Sequence, residues 1–281
     1  MRIVSLAPSN TETLFFLGLG EEIVGVTEQC DYPEGARDRE RIGSFAHPDV
    51  GMIASLQPDL VVTSGKIHER FLDEFKRQNI PVFIFASRSV EGILENVEEL
   101  GRVCGQGKRA QSLVGSLRER IDMARARIPE GATPPRVFRL MSRDPLFTPG
   151  RGSCQYDAIC LSGGKPLPLD TEDAYVKIPL EAVIDFDPEI IITCGRKRGE
   201  EPKPRCKGCT RLDPACQRVI EDMYSWNRWQ GISTIKDARV HALPCRTICR
   251  PGPKVADLVE KLAMILHPGY QTTNTMEAKI K

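Results

Sequence analysis

Ten cysteines in 281 residues are the side chains of this sequence most able to do chemistry. The tightest grouping is Cys206-Lys207-Gly208-Cys209, followed by Cys216 and preceded by Cys194. A C-x2-C pair lets two thiolates converge on one metal or cluster, because the intervening glycine permits the tight turn, and two further cysteines complete four-coordination. Four thiolates suit zinc or an iron–sulfur cluster. A structural zinc ribbon usually has two C-x2-C knuckles, whereas this loop has one pair plus scattered partners, which leans the reading toward iron–sulfur. Arg196, Lys197, Arg198, Lys203, Arg205, Lys207 and Arg211 crowd the same loop against Glu200, Glu201 and Asp213. Such cations favour the thiolate form and offset the negative charge of a four-thiolate cluster.

Cys30, Cys154, Cys245 and Cys249 form a second set of four from separate loops, enough for a second cluster or a thiol-rich pocket. Cys104 ends a predicted helix and Cys160 lies within one, where a small buried hydrophobe is expected. The remaining chemistry is thin. His47, His68, His241 and His267 show no ligand spacing, no GxGxxG follows the first strand, and no nucleophile elbow or acid–base pair stands out. Trp226 and Trp229 could stack on a flat ligand, Phe45 and Lys66 lie in loops that border a cleft, and Arg246 and Arg250 flank Cys249, where they could pair with ligand carboxylates or phosphate.

These residues need a frame. Short apolar runs alternate with amphipathic segments, the signature of βαβ units and parallel sheets. The first half predicts strands over 3–6, 23–26, 60–63 and 82–85 and helices over 11–17, 51–56, 69–78 and 90–101. One long helix follows over 107–128, then a Pro- and Gly-rich breaker over 129–135. The second half predicts strands over 136–141, 190–193 and 240–243 and helices over 156–161, 179–186, 217–224 and 253–266. The fold class is therefore α/β: two Rossmann-like lobes (1–105 and 134–267) joined by a bridging helix and linker (106–133), with a tail over 268–281. Loops at the strand C-terminal ends should line a ligand cleft between the lobes.

Net charge of +1, with 39 basic and 38 acidic residues, gives no global field for nucleic acid or an anionic membrane. No stretch reaches the roughly 18 apolar residues of a membrane span. The chain opens directly on an apolar strand with no basic-then-apolar leader, so a cytosolic setting with reduced thiols is expected.

Several segments carry a resemblance. Arg2-Ile3-Val4-Ser5-Leu6-Ala7-Pro8-Ser9-Asn10-Thr11-Glu12, Leu17-Gly18-Leu19-Gly20, Val24-Gly25-Val26, Asp31-Tyr32-Pro33, Gly43 and Leu56-Gln57-Pro58-Asp59-Leu60-Val61-Val62 look like the helical-backbone, class III periplasmic binding proteins, closest to cobalamin-binding members. Phe147-Thr148-Pro149-Gly150, Gly163-Gly164 and Asp187-Pro188-Glu189-Ile190-Ile191-Ile192 follow in family order. The resemblance implies two lobes on a rigid helix, little domain closure, and a cleft ligand of the corrinoid, heme or siderophore type. It also implies an acidic residue for permease docking at the start of the helix before the Leu-x-Pro-Asp-Leu motif. Gly51 stands there and argues against ABC permease docking.

The resulting expectation is a cytosolic, periplasmic-binding-protein-like chain. It would hold an iron–sulfur cluster through cleft cysteines and serve redox, corrinoid-related or metal-cluster handling. Two alternatives stand beside it: a substrate-binding component of an ABC transporter for cobalamin or an iron complex, and a zinc-stabilised binding module.

Overall fold

The computed structural model describes residues 1–201 and 217–268, so Cys206, Cys209 and Cys216 lie outside the described residues. Lobe 1 is built on strands β1 (Ile3–Ser5), β2 (Ile23–Val26), β3 (Glu40–Arg41), β4 (Leu60–Ser64) and β5 (Val82–Phe85), in the all-parallel order β3-β2-β1-β4-β5. The runs are short and apolar because a parallel sheet is covered on both faces. Ile3, Val26, Leu60 and Val62 fill one side, while Val4, Ile42 and Val61 fill the other. Helices α1 (Pro8–Phe16), α2 (Val50–Ser55), α3 (Leu72–Arg77) and α4 (Val90–Val103) complete the lobe.

Helix α5 (Gly107–Arg125) ends three residues short of its predicted limit, capped through Ala126 ahead of Pro129. Its buried residues, Ala110, Val114, Leu117, Ile121 and Ala124, recur every three or four positions and form one apolar stripe. Charges flank that stripe in two directions. Arg118 pairs with Glu91 and Glu98 of α4, at 2.9 Å for Glu98. Arg120 pairs with Asp257 at 2.6 Å and Glu260 at 2.7 Å in lobe 2. The bridging helix is thereby pinned to both lobes, and one apolar core runs through it from Ile3 to Leu266. Gly101 permits the tight α4–α5 crossing, since a Cβ there would lie 2.3 Å from that of Ala110.

Lobe 2 has two sheets. Strands β6 (Arg136–Leu140), β9 (Lys165–Pro166), β11 (Ile190–Cys194) and β12 (Val240–Leu243) form a parallel sheet in the order β12-β11-β6-β9. Strands β7 (Ser142–Arg143), β8 (Leu146–Pro149) and β10 (Tyr175–Lys177) form an antiparallel sheet that the sequence reading does not anticipate. Segments of two to four residues are too short to show a period. Helices α6 (Cys154–Leu161), α7 (Leu180–Phe186), α8 (Ser233–Lys236), α9 (Cys245–Ile248) and α10 (Val255–Leu266) surround them. The helix predicted over 217–224 is instead a 3-10 turn, Ile220–Ser225, followed by another at Asn227–Trp229. The buried Ile220 and Met223 of the first turn are three residues apart, which fits three residues per turn better than 3.6. Among the described residues no helix is long and apolar enough to cross a membrane.

Candidate functional site at the junction of the lobes

Strand β11 ends at the buried Cys194, whose register partner is Leu243 of β12. Ile192 pairs with Arg139 of β6, so strand alternation puts Arg139, Ile192 and Cys194 on one face of the sheet. Past β12, Pro244 starts the one-turn helix α9, which opens on Cys245 and is capped by Cys249. An i, i+4 spacing turns both thiols the same way, toward Cys194. The three Sγ atoms lie within 4.8 Å of one another, with Cys194 and Cys249 3.4 Å apart. Cys194 is buried, and Cys245 and Cys249 are half-buried.

Arg139 decides the charge of this cluster. It is 2% exposed and donates from Nε to Gln155 Oε1 at 3.2 Å, from Nη1 to the Leu140 carbonyl, and from Nη2 to Cys194 Sγ at 3.1 Å and Cys249 Sγ at 3.7 Å. None of these partners is a carboxylate. A buried guanidinium needs a counter-charge, and a cysteine sulfur is the group placed to supply it. Hydrogen bonds from Cys245 and Cys249, with the Arg139 charge added, hold the Cys194 thiol well below its ordinary value, against the opposing effect of burial. Donation to Cys194 pushes Cys249 up to about 12. Within the trio, Cys194 is therefore the thiol that ionises most readily.

Helix α9 and the segment between it and α10 carry cations beside the thiols. Arg250 donates from Nη1 to Glu12 Oε1 and from Nη2 to Asp31 Oδ1, each at 2.6 Å. Lys254 Nζ meets Glu12 Oε2 at 2.9 Å and lies 3.7 Å from the centre of the Tyr32 ring. Arg246 stacks on the same ring at 4.8 Å and reaches Asp31 at 3.5 Å. Glu12 lies in α1, and Asp31 and Tyr32 follow β2, so lobe 2 grips lobe 1 within a few residues of the thiol trio. Arg250, predicted to await a ligand anion, is already occupied by two carboxylates, and Arg246 is partly engaged.

The predicted cysteine sets are redistributed. Cys194 comes from the first and Cys245 and Cys249 from the second. Cys30 does not join them: it is fully buried in lobe 1, where Thr11 Oγ1 donates to its sulfur at 3.1 Å and Thr27 Oγ1 lies at 3.3 Å. Burial raises its pKa. Cys154 opens α6 and is pushed up to about 12 by desolvation and then by Asp157. Cys160 is exposed rather than buried, since α6 buries Gln155, Ala158 and Ile159 on its other side.

The aromatic assignments also shift. Trp229 is 4% exposed and packs on Phe138 in the lobe 2 core, so it is not free to stack on a ligand. Trp226 is half-buried, and Arg143 covers its ring at 4.5 Å. Both tryptophans border a depression of about 610 Å³ shared with Arg143, Leu180 and Arg228. Phe45 sets its ring edge-on to His68 at 5.2 Å. Lys66 is exposed just past the end of β4. His68 is a buried packing residue: Ser64 N–H donates to its Nδ1 at 2.8 Å, and its Nε2 meets the Phe45 carbonyl at 2.7 Å. Sequence reasoning missed Arg139, Glu12 and Lys254. An arginine inside the apolar run Val137-Phe138-Arg139-Leu140 was the available signal for the first.

The chain matches the periplasmic binding protein family over residues 3–247. It belongs to that family. The vitamin B12-binding protein of Vibrio cholerae is 26% identical over 268 residues, covering 94% of this chain and 88% of that protein. The vitamin B12-binding protein of Yersinia pestis is 28% identical over 195 residues, 69% of each. Among solved structures, the periplasmic vitamin B12-binding protein BtuF of Vibrio cholerae superposes with a TM-score of 0.76 at 25% identity, covering 94% of this chain and 96% of that one. The periplasmic heme-binding protein RhuT from Roseiflexus shares the fold, with a TM-score of 0.79 at 22% identity over 96% of this chain and 99% of that one. These relatives lend no support to the cytosolic expectation. The start of α2 carries an acidic side chain. The helix begins at Val50, and Asp49 is its N-cap, exposed, with its carboxylate accepting from Met52 N–H at 2.9 Å. An acidic residue therefore does stand at the start of this helix, two positions before Gly51.

Proposed function

We propose that this protein is the substrate-binding component of an ABC importer and that it takes a corrinoid, the ligand class of vitamin B12, between its lobes. The observation that carries this reading is the near full-length correspondence with vitamin B12-binding proteins, on a frame in which residues following β12 pair with residues following β2. The heme-binding neighbours support the frame but add nothing on the ligand, because they match at fold level alone.

The architecture suits a binder that changes shape little. Helix α5 is paired by charge to both lobes, and the Arg250–Glu12–Lys254 cluster fastens them again. A ligand would meet a preformed site, with little ordering cost at binding. On this reading the chain works outside the cytoplasmic membrane, and exposed Asp49 is available to a permease.

The test is equilibrium binding of cyanocobalamin and of hemin to the purified chain, followed by calorimetry and absorption. Saturable one-to-one binding of cyanocobalamin at micromolar or lower concentration, on the order of 8 kcal/mol or more, is expected. Binding of hemin with no corrinoid binding, or of neither, overturns the corrinoid assignment.

A further inference from the structure

We propose that Cys194, Cys245 and Cys249 bind a single divalent cation of the zinc class, in a three-thiolate site whose fourth position opens on the half-buried side of the trio. The inference does not rest on the corrinoid reading.

Spacing carries it first. Zn–S bonds of about 2.3 Å at tetrahedral angles put ligand sulfurs about 3.8 Å apart. The three sulfurs here all lie within 4.8 Å of one another, with one pair at 3.4 Å. A four-iron cluster seats each thiolate on a different iron and needs a wider set. The observed trio is therefore matched to one ion.

Charge carries it second. Three thiolates and a divalent cation sum to −1, and Arg139, buried against two of the sulfurs without a carboxylate partner, supplies +1. The guanidinium also argues against the competing fate of two close thiols. A Cys194–Cys249 disulfide would need the sulfurs at about 2.05 Å and would leave Arg139 against two sulfurs that can carry no charge. Backbone placement agrees: one ligand ends a central strand and two lie an i, i+4 step apart on a helix that begins where the adjacent strand ends. Such ligands sit on rigid elements and need little rearrangement to close on an ion.

Cobalt(II) is the probe, titrated into the reduced full-length protein. One equivalent should give the intense sulfur-to-cobalt charge-transfer absorption and the visible bands of tetrahedral Co(II), and zinc should displace it. Cys194→Ser, Cys245→Ser and Cys249→Ser should each abolish the charge-transfer signal or weaken binding far more than Arg139→Met, which should cost about tenfold or more. Cys30→Ser and the triple variant Cys206→Ser/Cys209→Ser/Cys216→Ser should bind as the parent does. Should a ligand variant fail to fold, alkylation of the parent decides: zinc must protect Cys194, Cys245 and Cys249 together. Protein that retains iron and sulfide in equal amounts, cobalt binding that follows Cys206, Cys209 and Cys216 instead, or no protection of the trio by zinc overturns the proposal.

Discussion

Arg139 Nη2 lies 3.1 Å from Cys194 Sγ, and this contact joins a buried cation to a thiol at the end of a central strand. Its chemical consequence is a Cys194 thiol that ionises more readily than a free cysteine. Replacing Arg139 by Met removes a charge that favours the thiolate, so alkylation of Cys194 by iodoacetamide near pH 7 should slow, read by peptide mass spectrometry. An unchanged rate would mean that Cys245 and Cys249 alone hold the anion.

The same cluster predicts a pH dependence for the metal-free, reduced protein. The folded pKa of Cys194 is well below the ordinary 9.0, so its contribution to stability is complete above pH 9 and is lost as pH falls through the folded value. Cys249 moves the other way, from 9.0 up to about 12, so its contribution is complete below pH 9 and lost as pH rises toward 12. The difference in melting temperature between parent and a Cys194→Ala/Cys249→Ala variant should therefore peak close to pH 9. Calorimetry over several buffers checks this, and a difference that is flat with pH would contradict it.

At the lobe junction, Arg250→Met should be costly. It leaves the Glu12 carboxylate, whose side chain is 3% exposed, with Lys254 as its remaining cation. Breaking a buried pair from one side costs about 3–5 kcal/mol, and adding Glu12→Gln should recover part of that because the stranded charge disappears. Urea unfolding of the single and double variants gives the comparison.

The two tryptophans should separate cleanly. Trp229→Ala opens a hole against Phe138 and should destabilise by about 3–5 kcal/mol, whereas Trp226→Ala, at a half-buried position, loses its stacking with Arg143 and its edge contact with Trp229 and should cost less. Equal costs in thermal unfolding would refute the assignment of Trp229 to the core.

The fold was readable because parallel strands and amphipathic helices write their burial into apolar periodicity. The bounds of β2 and β5 match the observed strands, and the heptad-like stripe of α5 marks the bridge. The site was less readable. C-x3-C around Cys245 looks weak in sequence because its third partner, Cys194, is 51 positions earlier and joins it through β11–β12 pairing. The counter-charge was hidden for the same reason: Arg139 acquires its role from register with Ile192, which no local pattern encodes. Arg250 looked free to take a ligand because its partners, Glu12 and Asp31, lie 238 and 219 residues away.

Asp49 links local stability to the proposed transport role. Its carboxylate accepts the Met52 N–H at 2.9 Å and caps α2, so Asp49→Ala should lose about 1 kcal/mol, while Asp49→Ser and Asp49→Asn keep a capping oxygen and should lose less. Docking on a cationic permease surface depends on charge rather than on capping, and exposed charges of this kind act through salt-sensitive association. Asp49→Asn should therefore fold as the parent does, bind cyanocobalamin equally well, and support slower uptake in a reconstituted importer. If uptake with Asp49→Asn equals the parent at low and high salt, the carboxylate serves the helix alone, and the contact with the permease lies elsewhere on the chain.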